Sequence, residues 1–527
     1  MSRIAKLLAL TASLWSPGQP AVDAASPARP NVVFILMDDL GWADVGCYGS
    51  EFYQTPNIDR LAGQGMRFTD AYAACNCCSP TRASILTGKY PARLHLTDWI
   101  PGSQFPKAKL RPPDWHQQLP LEEVTLAEAL RTAGYATAAV GKWHLGKAPF
   151  LPQNQGFDVN IAGNHSGAPG SYFWPYAHDD PAKSLSQNRE RRRGQAHFAP
   201  KTPQNEPVPG GSGIGSEATR YHGGPVPDVF AGGKPGEYLT DRLTDEALTL
   251  IEANRERPFF LYFSHYAVHT PLQAKPELTE QYRAKLRPGL KQDNPVYAAM
   301  IESMDQSVGR VMEKLDALDI ADRTVVFFTS DNGGYSGYGG KPGGTCNAPL
   351  REGKGSAHEG GHRVPLIVRW PGVTLPGSVC REPVTSVDFY PTILAMTGAR
   401  GDRQHNAAVD GADLVPTLKQ EGKPGRDAIY WHYPHYNVFP QTPYGAVRQG
   451  DYKLIEFDED GRAELYNLRT DLAETTNLAE RMPELATTLR GKLAAWRKSV
   501  GAQMPVANPE HDSAPAKRSE PNPRPGN

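Results

Sequence analysis

Four short runs of this chain, 32–37, 136–140, 259–263 and 325–328, are apolar or β-branched on nearly every residue instead of alternating with polar ones. Runs of that length are too short for core helices and predict strands buried on both faces, as in a largely parallel sheet. Each run empties into polar chemistry: Asp38-Asp39 after the first, Gly141-Lys142-Trp143-His144 after the second, Ser264-His265 and then His269 after the third, Ser330-Asp331-Asn332 after the fourth. Open α/β sheets bind ligands at the carboxyl ends of their strands, so four distant segments are expected to build one site. Residues 240–253 place Leu243, Ala247, Leu250 and Ile251 on one side, the spacing of a helix that covers such a sheet. The expected fold is α/β, a large mixed and mainly parallel sheet flanked by helices.

After a helical pattern over 389–396 the chain turns polar through 398–403, and a second unit is expected from residue 426 to 504. A strand at 428–431, a strand pair within 445–457 and a helix over 483–500 give it an α+β character. Residues 505–527 repeat Pro and charge and predict a disordered tail. Residues 167–236 are rich in Gly and Pro and read either as a functional rim or as poorly ordered chain, with the Arg189 and Arg191-Arg192-Arg193 cluster as solvated surface.

The net charge of −1 over 527 residues argues against nucleic acid or an anionic membrane as the partner. No apolar run reaches the ~18 residues of a membrane span. The first residues differ: Arg3 and Lys6 precede the apolar stretch 7–15, Pro17 and Pro20 break it, and Val22-Asp23-Ala24 offers a small-residue cleavage site. That pattern predicts a signal peptide at 1–24, a periplasmic or secreted protein, and a catalytic domain over 27–425. Six cysteines are an even number but too sparse for a disulfide scaffold. Cys75 and Cys77 lack Cys/His partners at zinc spacing and read as packing residues beside Cys78.

The candidate chemistry begins with Cys78-Ser79-Pro80-Thr81-Arg82. Ser79 suits an N-cap and Pro80 a first helical position, so a helix is expected over 80–87 with Gly88 as its stop and Cys78 just ahead, near the positive end of the dipole. Asp38, Asp39, Asp331 and Asn332 offer only oxygen, which suits a hard divalent cation and disfavours zinc. An Asp-Asp pair alone is usually a turn or cap; two such pairs, each ending a buried strand, are not so easily explained. Trp431-His432-Tyr433-Pro434-His435-Tyr436 packs three aromatics and two histidines into six residues, a composition that suits a sugar or, alternatively, a cluster at the joint of the two units.

The C-x-P-x-R run at Cys78 resembles the signature at which sulfatases convert cysteine to formylglycine. Asp38-Asp39-Leu40-Gly41, Thr55-Pro56-Asn57-Ile58-Asp59, Gly141 to Gly146, His269-Thr270-Pro271, Asp331-Asn332-Gly333 and Gly353-Lys354-Gly355 extend the resemblance over 31–365. On these motifs the chain is identified as a member of the type I sulfatases of the alkaline-phosphatase superfamily. The resemblance implies calcium held by Asp38, Asp39, Asp331, Asn332 and the modified Cys78, whose hydrated aldehyde offers one hydroxyl to attack sulfur and one to expel sulfate. It also implies Lys142 and Lys354 on the sulfuryl oxygens, Arg82 stabilising the nucleophilic oxygen, and Asp331 accepting its proton. His269 becomes the acid for the leaving oxygen and His144 the base for the second hydroxyl, with His265 in a supporting place. The family often adds a polar residue after Gly156-Phe157; Asn164, His165 and Ser166 are all available. With His432, His435 and Arg448 they form the expected rim of an exo-acting site for a sulfated saccharide, similar to bacterial enzymes acting on galactose or N-acetylgalactosamine sulfates. A formylglycine-generating or anaerobic sulfatase-maturating enzyme is the implied partner. The alternatives are a phosphonate or phosphate monoester hydrolase, distinguished by relative rates on aryl phosphate and aryl sulfate, and an inactive carbohydrate-binding homologue with Cys78 left as a thiol.

Overall fold

The computed structural model describes residues 29–176, 233–338, 341–439 and 441–511. The expected signal peptide, the arginine cluster at 189–193 and the tail beyond 511 lie outside the described residues. At its centre is an eight-stranded sheet. Its strands, in chain order, are β1 (Asn31–Met37), β2 (Met66–Phe68), β3 (Ala136–Gly141), β4 (Val159–Ile161), β5 (Phe259–Ser264), β6 (Thr324–Ser330), β7 (Leu366–Arg369) and β8 (Ser378–Cys380). They stand in the order β8-β2-β7-β6-β1-β5-β3-β4. Every neighbouring pair is parallel except those made by β7, which runs against both β6 and β2.

The four apolar runs are β1, β3, β5 and β6, and β1 shows why they carry no alternation. Val33, Ile35 and Met37 face one hydrophobic layer while Val32, Phe34 and Leu36 face the other, all fully buried. On the first side lie α2 (Leu239–Ala253) and the long α3 (Pro295–Ala317), capped by Asn294 through Val296 N and Tyr297 N. On the second lie α1 (Cys78–Thr87) and α4 (Phe389–Thr397). No helix among the described residues is long and apolar enough to cross a membrane.

A four-stranded antiparallel meander follows: β9 (Ala428–Tyr433), β10 (Tyr444–Gln449), β11 (Tyr452–Phe457) and β12 (Ala463–Asn467). One face, with Ile429, Trp431 and Tyr433, packs against Tyr72, Cys75 and Cys77 of the larger unit. The other face packs Val447, Leu454 and Leu465 against Leu489, Leu493 and Trp496 of α5 (Pro483–Ser499). Cys75 and Cys77 thus serve as packing residues, their sulfurs 3.5 Å apart. The expectation of disorder from residue 505 fails at its start. Val506–Ala507 pairs antiparallel with Leu110–Arg111, so order persists past residue 505 because the backbone finds a strand partner there.

Candidate active site

Short backbone bonds between adjacent strand ends bring the expected chemistry together. Asp331 N donates to Met37 O at 3.1 Å, His265 N to Leu36 O at 2.9 Å, and Lys142 N to Ser264 O at 2.7 Å. Gly141 makes the last approach possible: its φ is +98°, and a Cβ there would lie 1.9 Å from Ser264 O. Asp39 and His144 hold left-handed backbone at φ 61° and 59°, a conformation costing a non-glycine residue about 1–3 kcal/mol and typical of functional sites.

Cys78 opens α1, with Cys77 and not Ser79 as the N-cap residue. Ser79 is drawn away because its hydroxyl donates to His144 O at 2.9 Å. Gly88 ends the helix in left-handed geometry, as expected. Around Cys78 stand two buried ion pairs, Arg82 with Asp331 at 2.7 Å and Lys142 with Asp38 at 2.7 Å, and a third that is partly exposed, Lys354 with Asp39 at 2.7 Å. Arg82 gives its remaining contacts to Lys142 O at 3.0 Å and Ser264 Oγ, so it fixes Asp331 in place, and no hydrogen bond joins it to Cys78.

Two buried oxygens here lack any hydrogen-bond partner, Asp38 Oδ1 and Asn332 Oδ1. Asn332 Nδ2 is spent on Asp39 Oδ1 at 2.8 Å, which leaves its carbonyl oxygen for another partner. Burial first, and the charges of Asp331 and Asp39 after it, push the Asp38 carboxyl up to about 7 despite Lys142. Orphaned oxygens among crowded carboxylates fit a hard cation held by Asp38, Asp39, Asp331 and Asn332. Asp38, Asp39 and His269 also come close enough to share an ion. An all-oxygen set matches the orphaned atoms better, and the His269 ring has other employment.

Each histidine has one nitrogen tied down. His144 Nε2 lies 2.6 Å from Ile100 O, and a carbonyl only accepts, so Nε2 carries the proton. Nδ1 is then a lone pair aimed at Cys78 Sγ, 3.2 Å away. Burial, with Lys142 adding to it, lowers the ring's affinity for a second proton well below the usual range. His269 Nδ1 likewise lies 2.7 Å from Thr270 O, leaving Nε2 for the site, 3.6 Å from Asp39 Oδ2. Burial pushes the Cys78 thiol up, so an unmodified sulfur there is not a thiolate.

The family model described as sulfatase matches residues 30–399, and a second, N-sulphoglucosamine sulphohydrolase C-terminal, matches 353–499. A sulfatase of Formosa agariphila is 34% identical, covering 94% of this chain and 93% of its own. The chain belongs to the sulfatase family. Human arylsulfatase A is similar at 34% identity over 83% of this chain and 77% of its own, and human N-acetylgalactosamine-6-sulfatase at 33% over 77% and 69%. The crystal structure of Ps i-CgsB in complex with k-i-k-neocarrahexaose aligns with TM-score 0.67 and 30% identity over 89% of this chain and 93% of that one. Phosphonate monoester hydrolase of Agrobacterium radiobacter shares the fold at TM-score 0.58 and 20% identity, over 91% of this chain and 99% of that one. The protein is therefore a sulfuric ester hydrolase on the alkaline-phosphatase-like fold.

The expected saccharide rim of this sulfatase needs correction. His432 is buried, with Nε2 at 2.8 Å from Gln503 O, because alternation along β9 turns it to the face opposite Trp431. His435 is buried on Thr97 Oγ1 at 2.8 Å and lies edge-on to Trp115. Arg448 sits in the joint of the two units, bonded to Asp70 at 2.7 Å, to Gly450 O at 3.1 Å and to the Tyr72 hydroxyl. All three are structural. We expect Arg448→Met to destabilise the fold by about 2 kcal/mol in urea unfolding, the cost of losing charge-assisted bonds at the joint while the half-buried Asp70 keeps Arg363 at 3.1 Å. Turnover of aryl and saccharide sulfates by the folded variant should stay in constant ratio.

Other expected positions do meet. His144 N donates to Asn164 O at 3.0 Å, and a Cβ on Gly167 would lie 2.6 Å from the His144 ring, so the loop bearing His165 and Ser166 borders His144. Ser166 is buried and His165 half-buried. His265 is buried on Ser307 Oγ at 3.1 Å, a supporting place. Tyr172 lies under the loop that bears His269, donating to Tyr266 O at 2.6 Å and to His269 O at 2.9 Å. Two aromatics went unforeseen beside Lys354. Phe439 lies against Gly355, and Tyr335 meets its ring edge-on at 6.0 Å. The only signal for Tyr335 is its place after Asp331-Asn332-Gly333-Gly334, and Phe439 had none.

Proposed function

We propose that this sulfatase releases sulfate from a sulfated saccharide, with calcium and a formylglycine formed from Cys78. The observation that carries the reading is His144 Nδ1, presented as a bare acceptor 3.2 Å from the sulfur of Cys78. When present, calcium supplies positive charge where Asp38, Asp39, Asp331 and Asn332 converge, and a hydrated aldehyde at position 78 supplies hydroxyls in place of a thiol.

The chain's own residues supply the remaining work. Arg82 pins Asp331 Oδ2 through Nε at 2.8 Å and Nη2 at 2.7 Å, and Asp331 accepts the proton of the attacking hydroxyl. His144 accepts the second hydroxyl's proton when sulfate is expelled. Lys142 and Lys354 present ammonium groups to the sulfuryl oxygens; Asp39 and the other anions nearby raise the Lys354 pKa despite burial, so its charge is permanent. His269, with Nδ1–H committed to Thr270 O, donates from Nε2 to the departing sugar oxygen once the ring has taken up a second proton. In the site without substrate, burial and then Lys354 push its pKa down to about 3, and the negative charge of a bound sulfate ester opposes both. His165 and Ser166 border the sulfate end, while Phe439 and Tyr335 offer apolar ring faces of the kind sugars stack on. A saccharide is favoured by the named activity of the N-acetylgalactosamine-6-sulfatase relative and by the oligosaccharide in the Ps i-CgsB complex.

The test is sulfate release from galactose and N-acetylgalactosamine sulfates, alongside aryl sulfate and aryl phosphate, by enzyme produced with a formylglycine-generating enzyme. Saccharide sulfates should be turned over and aryl phosphate should lag aryl sulfate; the reverse order on the aryl esters would favour a phosphate ester substrate. His269→Ala should slow saccharide sulfates by about 100-fold or more and an aryl sulfate far less, since a phenolate hardly needs protonation. Equal losses on both would remove His269 from the acid's role.

A further inference from the structure

Lys354 is carried by a strap, residues 351–360, that runs from the catalytic loops to the C-terminal sheet. At its catalytic end, Lys354 N donates to Gly334 O at 3.1 Å and Gly355 N to Asn76 O at 2.8 Å. At the other end His358, buried, lies between two carboxylates: Nδ1 is 2.9 Å from Glu352 Oε2 and Nε2 is 3.1 Å from Glu464 Oε2. Glu352 belongs to the strap and Glu464 to β12. An ionised carboxylate can only accept, whereas a neutral imidazole has a single N–H, so both contacts are satisfied only when the ring carries two protons.

We propose that His358 is a positioning residue for Lys354, its imidazolium clamped between Glu352 and Glu464 so that the strap is tied to the C-terminal sheet, and that losing the proton at alkaline pH slackens the tie. The proposal rests on the assignment of Lys354 to the sulfuryl group.

The surroundings support the charged form. From the strap, Ser356 Oγ approaches Nδ1 at 3.3 Å and also donates to Glu352, while Arg351 lies near Glu352 at 3.8 Å. From β12, Tyr466 donates to Glu464 at 2.8 Å and Arg462 pairs with the same carboxylate. Glu474, on the chain after β12, adds a third negative charge, itself shared with Lys453 at 3.1 Å. One turn along, His362 Nδ1 lies 3.4 Å from His358 O and its affinity for a proton is driven far down, first by burial, so it brings no competing charge. Burial lowers the His358 pKa, but the hydrogen bonds to Glu352 and Glu464 outweigh it and the net shift is upward from 6.5. Glu352 and Glu464 are each held at about 2 against burial, with His358 the foremost cause, so neither carboxyl supplies the missing proton at working pH. The sign follows: the clamp's contribution is complete below the ordinary histidine value of 6.5 and fades as pH rises through the raised one.

The test combines the ring titration of His358 by NMR with kcat/KM for an aryl sulfate across pH in the mature enzyme and in His358→Gln and Glu464→Gln. At about pH 6 His358→Gln should lower kcat/KM about tenfold, mostly through KM, as expected for misplacing a group that binds substrate. That deficit should shrink towards parity at high pH, where the wild type has lost the same charge. Glu464→Gln should lower the ring's pKa and shift the alkaline limb to lower pH. A deficit constant across pH, or a ring that loses its proton below pH 6.5, would overturn the clamp. Absence of sulfatase activity in the wild type would instead count against the functional reading, and the NMR titration still decides the clamp. If His358→Gln fails to fold, the wild-type titration and Glu464→Gln decide it.

Discussion

Cys78→Ala is expected to reduce sulfate release at least a thousandfold while leaving the fold and the cation site in place. On the proposed reading the substitution removes the thiol without which Cβ cannot become the aldehyde whose hydrate carries the nucleophilic oxygen, and loss of an activated nucleophile costs about 10³-fold or more even when binding and electrostatic stabilisation persist. The fold should survive because α1 owes its position to contacts that the side chain does not make. Arg82 bonds Asp331, Ser79 bonds His144 O and Thr81 Oγ1 bonds Cys77 O, all independent of the sulfur. His144 keeps Ile100 O as an anchor. Thermal unfolding within a few degrees of the wild type, together with calcium binding by calorimetry kept mostly intact by the four remaining oxygen ligands, would place the effect in chemistry. Residual turnover above about a thousandth would mean that another group attacks sulfur.

Asp331→Asn should fail on two counts at once. An anionic oxygen is lost from the cation cluster, and Arg82, fully buried with its guanidinium on Asp331, loses its countercharge. Breaking a buried pair from one side costs about 3–5 kcal/mol. The variant is therefore expected to bind calcium weakly, to unfold at markedly lower urea, and to lose activity by about 10³-fold, without rescue by zinc, which prefers nitrogen and sulfur ligands. Chelation of the wild type should reproduce the activity loss but not the stability loss from the unpaired arginine. Normal calcium affinity in Asp331→Asn would remove this residue from the ligand set.

The catalytic half of the protein was legible because its signals are local. A buried strand followed at once by acid, base or imidazole is visible in a few residues, and β1, β3, β5 and β6 deliver those groups to one edge. The helix start at Cys78 was misjudged by two residues for a tertiary reason: the hydroxyl of Ser79 is taken by His144 O instead of capping. The second unit misled because its strands are large and mixed on both faces. In Trp431-His432-Tyr433 a sugar rim and a domain joint have the same composition, and only the β9–β10 pairing reveals that His432 turns away from the catalytic unit. Arg448 could not be read as structural because its partner Asp70 is 378 positions distant. The His358 clamp has the same origin, joining Glu352 and Glu464 across 112 positions of chain that no periodicity links.

The most direct measurement is peptide mass spectrometry over residue 78 in enzyme produced with a formylglycine-generating enzyme, with sulfate release recorded on the same preparation. Formylglycine at position 78, in a fraction that rises and falls with specific activity, is the predicted result. Full activity from protein whose residue 78 is wholly an unmodified thiol would contradict the account.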